Sequence, residues 1–364
     1  MKITKVEPFI VHCPISEIAD SFNQTAVYGM PGVFIETDAG IIGTGYTGTL
    51  GNGDDLIRDA IERYYASVLL GQDPFNVKKI WHELFWSKLH WVGRAGVATM
   101  AQAAVDIALW DIMARVAEKP LWQLLGGDKP KQIKSYNTHG GWLNKSVEEL
   151  LTDMKWCIDQ GWTGVKMKVG KSNPREDYER VRAVRKAIGP DIDLMIDVNQ
   201  TWDFNTAMTW GKRLEEFTPM WLEEPMHPDD IRSHRLLAQE LNTPIALGEH
   251  LYTKFAFRDY IEQQAVEYVQ VDVTRVAGIT EWLQVAGLAA CYNLPVVPHI
   301  GDMMQIQQHL VAATPNAPML ECIPWAVDAF VHPVTVKEGF IQTPQEPGAG
   351  TAIRADFLAK HRVR

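Results

Sequence analysis

The feature that most limits how this chain folds is a regular series of polar residues, each at the end of a short apolar segment. Successive members lie 22 to 29 residues apart, with amphipathic helical patterns in the gaps. The members are Lys168, Asp197, Glu223, Glu249, Asp272, His299 and Glu321. A strand and its following helix occupy about this length. Repetition of that unit predicts a closed (β/α) barrel with functional residues at the carboxyl ends of its strands.

The residues before and after this series follow other patterns. Apolar runs at 3–11, 33–37 and 41–46 predict antiparallel strands, and three helical segments follow them. A cluster of Gly, Asp, Lys and Pro at 126–130 marks a boundary. We therefore predict an N-terminal α+β domain at 1–127 and the barrel at 128–330. The segment 331–364 regains strand character, and we expect it to pack back on the N-terminal domain.

Composition excludes several classes of function. Hydrophobic residues make up 46% of the 364, which indicates an ordered globular protein. Acidic residues outnumber basic ones by 45 to 35 and no basic run is present, so we expect no nucleic-acid partner. The most apolar stretch, 97–116, contains Asp106, Asp111 and Arg115, which argues against a membrane span.

The N-terminus lacks a signal-peptide pattern, and we expect a cytoplasmic location. The four cysteines are too far apart in the sequence for a thiolate zinc motif.

The first three carboxylates of the series are consecutive members of it. Asp197, Glu223 and Glu249 end adjacent strands of the predicted barrel, so their side chains are expected to meet. Three carboxylates at one point require a cation, and oxygen ligands alone favour a hard ion such as Mg²⁺ over zinc. An acidic residue at a strand end can also cap a helix, but the common register of these three favours a metal site.

The other members supply acid–base groups. Lys166 and Lys168 lie two apart on one strand and point to the same side, where repulsion between them is expected to lower one pKa and produce a general base. Asp272 and His299 end neighbouring strands, so the carboxylate can orient the imidazole. Glu321 ends the last strand and is a candidate hydrogen-bonding partner for a substrate oxygen. Together these groups suit removal of the α-proton of a carboxylate, with stabilisation of the resulting enediolate.

The ordered set resembles the enolase superfamily, specifically its mandelate-racemase subgroup, over essentially the whole chain. The subgroup's KxK motif corresponds to Lys166-Met167-Lys168. Its three metal ligands, its His-Asp dyad and its electrophilic glutamate fall on the positions named above. The muconate-lactonising branch has a lysine two residues after the sixth-strand aspartate, where this chain has Thr274. That branch is therefore disfavoured.

The resemblance implies a modified (β/α) barrel of TIM type with an α+β capping domain that the C-terminal tail completes. It implies one Mg²⁺ per subunit, with Mn²⁺ as an alternative, and a homo-oligomer acting on a small hydroxy-carboxylate. The implied reaction is dehydration of an aldonic or aldaric acid to a 2-keto-3-deoxy acid. Lys168 or His299 removes the α-proton, and Lys166 helps Mg²⁺ hold the enediolate. The candidate substrate-binding residues are Tyr28, His139, Asn199, His250 and Trp325.

Other functional interpretations involve the same residues. A racemase or epimerase returns the proton to the α-carbon, and a cycloisomerase expels an internal oxygen. A non-catalytic sugar-acid binder is the remote alternative, and it predicts missing ligands or bases, whereas none is missing here.

Overall fold

A computed structural model describes residues 1–128 and 132–363, so Lys129 and Pro130 of the predicted boundary cluster lie outside the described residues. The strands are β1 (Ile3–Ala19), β2 (Gln24–Thr37), β3 (Ile42–Tyr46), β4 (Gln132–Asn137), β5 (Gly164–Lys168), β6 (Asp193–Asp197), β7 (Trp221–Glu223), β8 (Ile245–Leu247), β9 (Tyr268–Val269), β10 (Met319–Cys322), β11 (Val336–Lys337) and β12 (Phe340–Gln342).

The helices are α1 (Asp54–Ala60), α2 (Ala66–Leu69), α3 (Val77–Phe85), α4 (Leu89–Val92), α5 (Val97–Val116), α6 (Leu121–Leu124), α7 (Val147–Asp159), α8 (Pro174–Ile188), α9 (Phe204–Leu214), α10 (Ile231–Glu240), α11 (Lys254–Glu262), α12 (Ile279–Cys291), α13 (Gln307–Ala313) and α14 (Ala355–His361). A π-helical segment, Ile61–Tyr65, joins α1 to α2, and 3₁₀ turns lie at Glu215–Phe217 and Val327–Ala329.

The N-terminal capping domain is an antiparallel sheet, β1-β2-β3, covered by α5. Glycines on β3 allow this close approach, since a Cβ at Gly45 would lie 1.9 Å from the carbonyl oxygen of Ala104 on α5. Within the described residues, α5 is the one helix long and apolar enough to cross a membrane. Of its most apolar window, 78% is buried inside the protein, as in the core helix of a globular domain.

The second unit is the predicted barrel. Strands β4 to β9 pair in parallel and in chain order, and β10 pairs with β4 to close the ring. The seventh position is occupied by residues 295–298, where Val296 forms a single bridge with Val269. Pro295 and Pro298 are the first and last residues of this segment, and proline lacks the N–H that a regular ladder requires. Ser146 and Glu149 form a capping box at the start of α7, as their spacing predicts.

The C-terminal segment contacts both units. Its hairpin β11–β12 pairs with the barrel strand β4, whereas the sequence placed the whole segment on the capping domain. The physical reason is that β5 meets β4 at one residue pair, Asn137 and Val165, which leaves the start of β4 open for β12. Farther along, the Val363 N–H donates to the Ile10 carbonyl oxygen of β1 at 2.9 Å, so the tail returns to the capping domain.

Candidate active site

Three buried carboxylates meet at the carboxyl ends of adjacent barrel strands. Asp197 ends β6 and lies directly beside Glu223 at the end of β7, while Glu249 follows β8. One oxygen from each side chain lies within 4.8 Å of the others. Parallel strands in register place their last residues side by side, which is why a 26-residue spacing in sequence becomes contact in space.

Two lysines on β5 point into this cluster. The Lys166 Nζ lies 2.8 Å from Glu223 Oε1 and 2.7 Å from Glu321 Oε1, and the Lys168 Nζ lies 2.5 Å from Asp197 Oδ2. Burial opposes both charges, but the adjacent carboxylates outweigh burial and raise the pKa of each lysine. The expectation that repulsion lowers one lysine pKa is therefore wrong for this arrangement. Each ammonium group lies within 2.8 Å of a carboxylate oxygen.

The carboxylates differ in their electrostatics. Burial alone would raise the pKa of Asp197, but Lys168 and Lys166 hold it well below the usual range. For Glu223, burial and the neighbouring Asp197 prevail and raise the pKa to about 8. A carboxyl group that resists ionisation beside other carboxylates is typical of a site that favours an added cation.

The donor set fits a hard divalent cation. Glu249 Oε2 is buried and accepts no hydrogen bond from the described residues. A second group of metal-ligating type comprises Glu224, Glu249 and His250. His250 Nδ1, however, already lies 2.8 Å from Glu224 Oε1. The cluster of Asp197, Glu223 and Glu249 offers oxygen donors only, as Mg²⁺ prefers, and is therefore the better site for this ion.

A histidine–aspartate pair faces the cluster. His299 Nδ1 lies 2.5 Å from Asp272 Oδ2, and the backbone N–H groups of Thr274 and Gly301 donate to the same carboxylate. His299 Nε2 lies 3.3 Å from Glu249 Oε2. Burial would lower the pKa of His299, but Glu249 and Asp272 raise it to about 9. Asp272 thus fixes one ring nitrogen and leaves Nε2 directed at the carboxylate cluster.

These groups border a cavity of about 260 Å³ between the barrel and the capping domain. Lys168, Glu249, His299 and Glu321 line the cavity from the barrel side. The capping domain contributes Ile18, Asp20, Phe22, Asn23, Tyr28, Gly48, Thr49 and Leu50. Because both units line one cavity, the site is complete only when the capping domain is docked.

Two sequence families match this chain. Residues 5–126 match the family described as "Mandelate racemase / muconate lactonizing enzyme, N-terminal domain", and residues 149–357 match "Enolase C-terminal domain-like". The chain belongs to the enolase superfamily. Its mandelate-racemase subgroup and the predicted fold class are both confirmed by these matches and by the similar structures described next.

Relatives of this superfamily member include enzymes with two kinds of reaction. L-talarate/galactarate dehydratase of Salmonella typhimurium is 38% identical over 285 residues, which are 78% of this chain and 71% of the relative. 3,6-anhydro-alpha-L-galactonate cycloisomerase of Streptomyces coelicolor is 32% identical over 91% of each chain. A crystal structure of L-talarate dehydratase from Polaromonas sp. JS666, complexed with Mg and L-glucarate, has a TM-score of 0.92 and 33% identity. It covers 100% of this chain and 98% of that one.

The structure places most of the sequence-predicted residues of this superfamily member around one cavity. Tyr28, Asn199, His250 and Trp325 line it with the acid–base groups. His139 lies elsewhere, in a neighbouring cavity that the stacked Trp142–Trp325 pair separates from the first. The sequence suggested His139 because it lies at the end of the first barrel strand, and it follows the last residue of β4 by two positions.

Sequence reasoning missed the residues that hold the carboxylates in place. Gln270 Nε2 and Trp221 Nε1 both donate to Glu223 Oε2, at 2.7 and 2.9 Å. Thr138 Oγ1 donates to Glu321 Oε1 at 2.6 Å. The signal for Gln270 was present, because it lies two residues before Asp272 and alternate residues of an extended segment share a side.

Proposed function

We propose that this protein is a Mg²⁺-dependent dehydratase of an aldonic or aldaric acid. It removes the proton α to the carboxylate and expels the β-hydroxyl, and the product is a 2-keto-3-deoxy acid. The observation that carries the proposal is that two basic side chains, Lys168 and His299, border the same cavity as Glu249 of the carboxylate cluster. The enzyme is accordingly a lyase, acting on a small molecule.

Asp197, Glu223 and Glu249 are the residues that would hold Mg²⁺. When bound, the ion supplies Lewis-acid stabilisation of the charge that develops on the substrate carboxylate. Lys166 adds a fixed positive charge from the base of the site, where Glu223 and Glu321 hold its ammonium group. Thr138 and Lys166 in turn orient Glu321.

Lys168 and His299 reach the substrate from different strands, at the second and seventh barrel positions. Carboxylates raise the pKa of both groups, and a divalent cation held by Asp197 and Glu249 would offset that effect. One of the two side chains then removes the α-proton, and the configuration of the substrate at that carbon decides which. His299 has its Nδ1 anchored on Asp272, so Nε2 is the atom that exchanges a proton with substrate. In its protonated form this ring donates to the departing β-hydroxyl, which leaves as water.

Cycloisomerisation is the second candidate, because a cycloisomerase relative is 32% identical to this chain. It begins with the same loss of the α-proton, but the leaving oxygen stays attached to the molecule. Racemisation, in which the second base returns the proton, uses the same two side chains.

The products distinguish these reactions by mass. The Mg²⁺-loaded protein should be incubated with a panel of aldonic, aldaric and anhydro-sugar acids, and the products analysed by mass spectrometry. We expect at least one acid to yield a product lighter by one water. Conversion without loss of mass would contradict dehydration and would favour the isomerase reactions.

The family resemblance also suggests a cytoplasmic homo-oligomer, and we extend the proposal to both. Analytical ultracentrifugation tests the assembly, and a sedimenting species of monomer mass would contradict it. We also propose that the chain divides into a capping domain at 1–127, a barrel at 128–330 and a C-terminal segment at 331–364.

A further inference from the structure

We propose that Arg275 binds a second carboxylate at the far end of the substrate, and that the substrate is therefore an aldaric, dicarboxylic acid. This inference rests on the proposed function, because it concerns how the same cavity selects among sugar acids. Arg275 follows the sixth barrel strand, three residues after Asp272, and it lines the cavity with Lys168 and His299.

The Arg275 guanidinium has almost no partners among the described residues. Its Nη1 donates to the thioether of Met100, at 3.3 Å, and its buried Nε donates to no atom of the described residues. A guanidinium has five N–H donors, and a thioether sulfur is a weak acceptor. A half-buried group left in this condition requires an explanation, since buried polar atoms are normally paired.

Three other half-buried or buried arginines have strong acceptors on their guanidinium groups, although the buried Nε of Arg180 is itself unpaired among the described residues. Arg180 donates to two backbone carbonyl oxygens, Arg185 donates to four, and Arg115 pairs with Asp111 at 2.8 Å. Each of these three guanidinium groups therefore has carbonyl or carboxylate oxygens as acceptors. Arg275 differs because the space before it is the cavity.

The charges around the cavity lead to the same conclusion. Three other cationic groups line it, and each has a carboxylate within 3 Å: Lys168 with Asp197, His250 with Glu224, and His299 with Asp272. Across residues 1–128 and 132–363, Arg275 has no carboxylate within ion-pair distance. Its charge acts at longer range on Asp272, whose pKa it helps to lower, and on the Tyr28 hydroxyl and the His250 ring, which line the same cavity.

A carboxylate is the ligand that best fits this charge. The planar fork of a guanidinium matches both oxygens of a carboxylate, and the paired hydrogen bonds are charge-assisted. The reacting carboxylate is already accounted for by the metal cluster and Lys166. A second carboxylate on the same substrate would supply the acceptors that Arg275 lacks. An aldonic acid ends in a hydroxymethyl group and would leave the charge unpaired.

The test compares matched substrates. The wild-type protein is assayed with the aldaric and aldonic acids of one carbon skeleton and with the aldonic acid phosphorylated at its far end. We expect kcat/KM for the aldaric acid to exceed that for the aldonic acid by tenfold or more, as about one charge-assisted pair supplies. A preference for the aldonic acid or for its phosphate would overturn the inference.

Variants identify the residue responsible. Arg275→Met should lower kcat/KM for the aldaric acid by about ten- to a hundredfold, mainly through KM, with a much smaller change for the aldonic acid. Arg275→Lys should have a kcat/KM for the aldaric acid between those of the wild-type protein and Arg275→Met. Arg258→Met, at an exposed arginine paired with Asp259 on α11, is the matched control and should not change the ratio. Equal losses on both acids for Arg275→Met would assign it a structural role and contradict the inference.

Failure of the inference and failure of the proposed function give different results. If the wild-type protein dehydrates aldonic and aldaric acids equally, the result supports the proposed dehydration and contradicts the proposed role of Arg275. If it dehydrates no sugar acid in the panel, the proposed function itself is contradicted. Thermal melts of each variant show whether a loss of activity reflects unfolding.

Discussion

At the scale of single residues, burial makes the two lysines of the site depend on neighbouring carboxylates. Lys166 is fully buried, and its ammonium group is tolerated because Glu223 and Glu321 lie within 2.8 Å of it. The sequence predicted which residues meet, because strand ends meet in a barrel. It did not predict the lysine pKa values, since these depend on which carboxylate each ammonium group contacts.

We predict that Lys168→Met and His299→Asn each lower kcat by about a hundredfold or more, because each removes a group that transfers a proton. Steady-state kinetics under saturating Mg²⁺ measure the loss, and circular dichroism checks the fold. Lys186→Met, at an exposed lysine of α8, is the control for the first variant. Wild-type rates in both variants would contradict the two-base mechanism.

A buried histidine outside the site makes stability depend on pH. Burial lowers the pKa of His309 from 6.5 to about 3, and its Nδ1 accepts the Trp122 N–H at 3.2 Å. Below pH 6.5 the unfolded chain binds a proton there and the folded chain does not. The contribution of His309 to stability is therefore complete above pH 6.5 and is lost as pH falls towards 3, by about 1.4 kcal/mol per pH unit.

We predict that His309→Asn, whose amide oxygen can accept the same N–H, loses stability less steeply with falling pH. Denaturant unfolding between pH 7 and about pH 5 measures this slope. His227→Asn, at an exposed histidine, should retain the wild-type slope. An unchanged slope in His309→Asn would show that the ring is already protonated in the folded chain.

At the scale of elements, the alternation of short apolar strands and amphipathic helices was sufficient to predict the barrel. The seventh strand is the exception, because Pro295 and Pro298 limit it to a single bridge. The hairpin β11–β12 was predicted as strand but not as a partner of β4. The offset between β4 and β5 decides which part of a strand edge stays unpaired. Hydrophobic periodicity in the sequence does not reveal that offset.

One helix receives its N-terminal cap from another domain. Helix α12 begins after Gly278, which has no side chain to cap it, and Asp106 of α5 accepts the Thr280 N–H at 2.9 Å and its hydroxyl at 2.7 Å. We predict that Asp106→Ala lowers the free energy of unfolding by about 1–2 kcal/mol. Urea denaturation tests this, with the exposed Asp159→Ala as control. Equal midpoints for the two variants would show that this cap contributes nothing.

At the scale of the whole molecule, the capping domain and the barrel are joined around the site. Tyr28 Oη donates to the Gly301 carbonyl oxygen and Tyr46 Oη to that of Asp302, both at 2.8 Å, and Thr47 Oγ1 donates to Thr274 at 3.0 Å. These bonds end on the loops that carry Asp272 and His299. Docking of the cap and placement of the acid–base pair are thus coupled.

Metal binding should stabilise the whole molecule, because it relieves repulsion among three buried carboxylates. We predict that the melting temperature rises with Mg²⁺ concentration, and that EDTA abolishes activity until Mg²⁺ is restored. Differential scanning fluorimetry measures the shift. Glu249→Gln should remove most of the Mg²⁺ effect on melting, and a shift that survives in this variant would place the metal elsewhere.

Proton NMR in D₂O tests the central claim most directly. The Mg²⁺-loaded protein is incubated with an aldaric acid that it consumes, and the α-proton signal is followed with time. We predict that this signal disappears as new signals of a deoxy position grow in. Entry of deuterium at the α-carbon of an otherwise intact sugar acid, with no deoxy signals, would contradict dehydration.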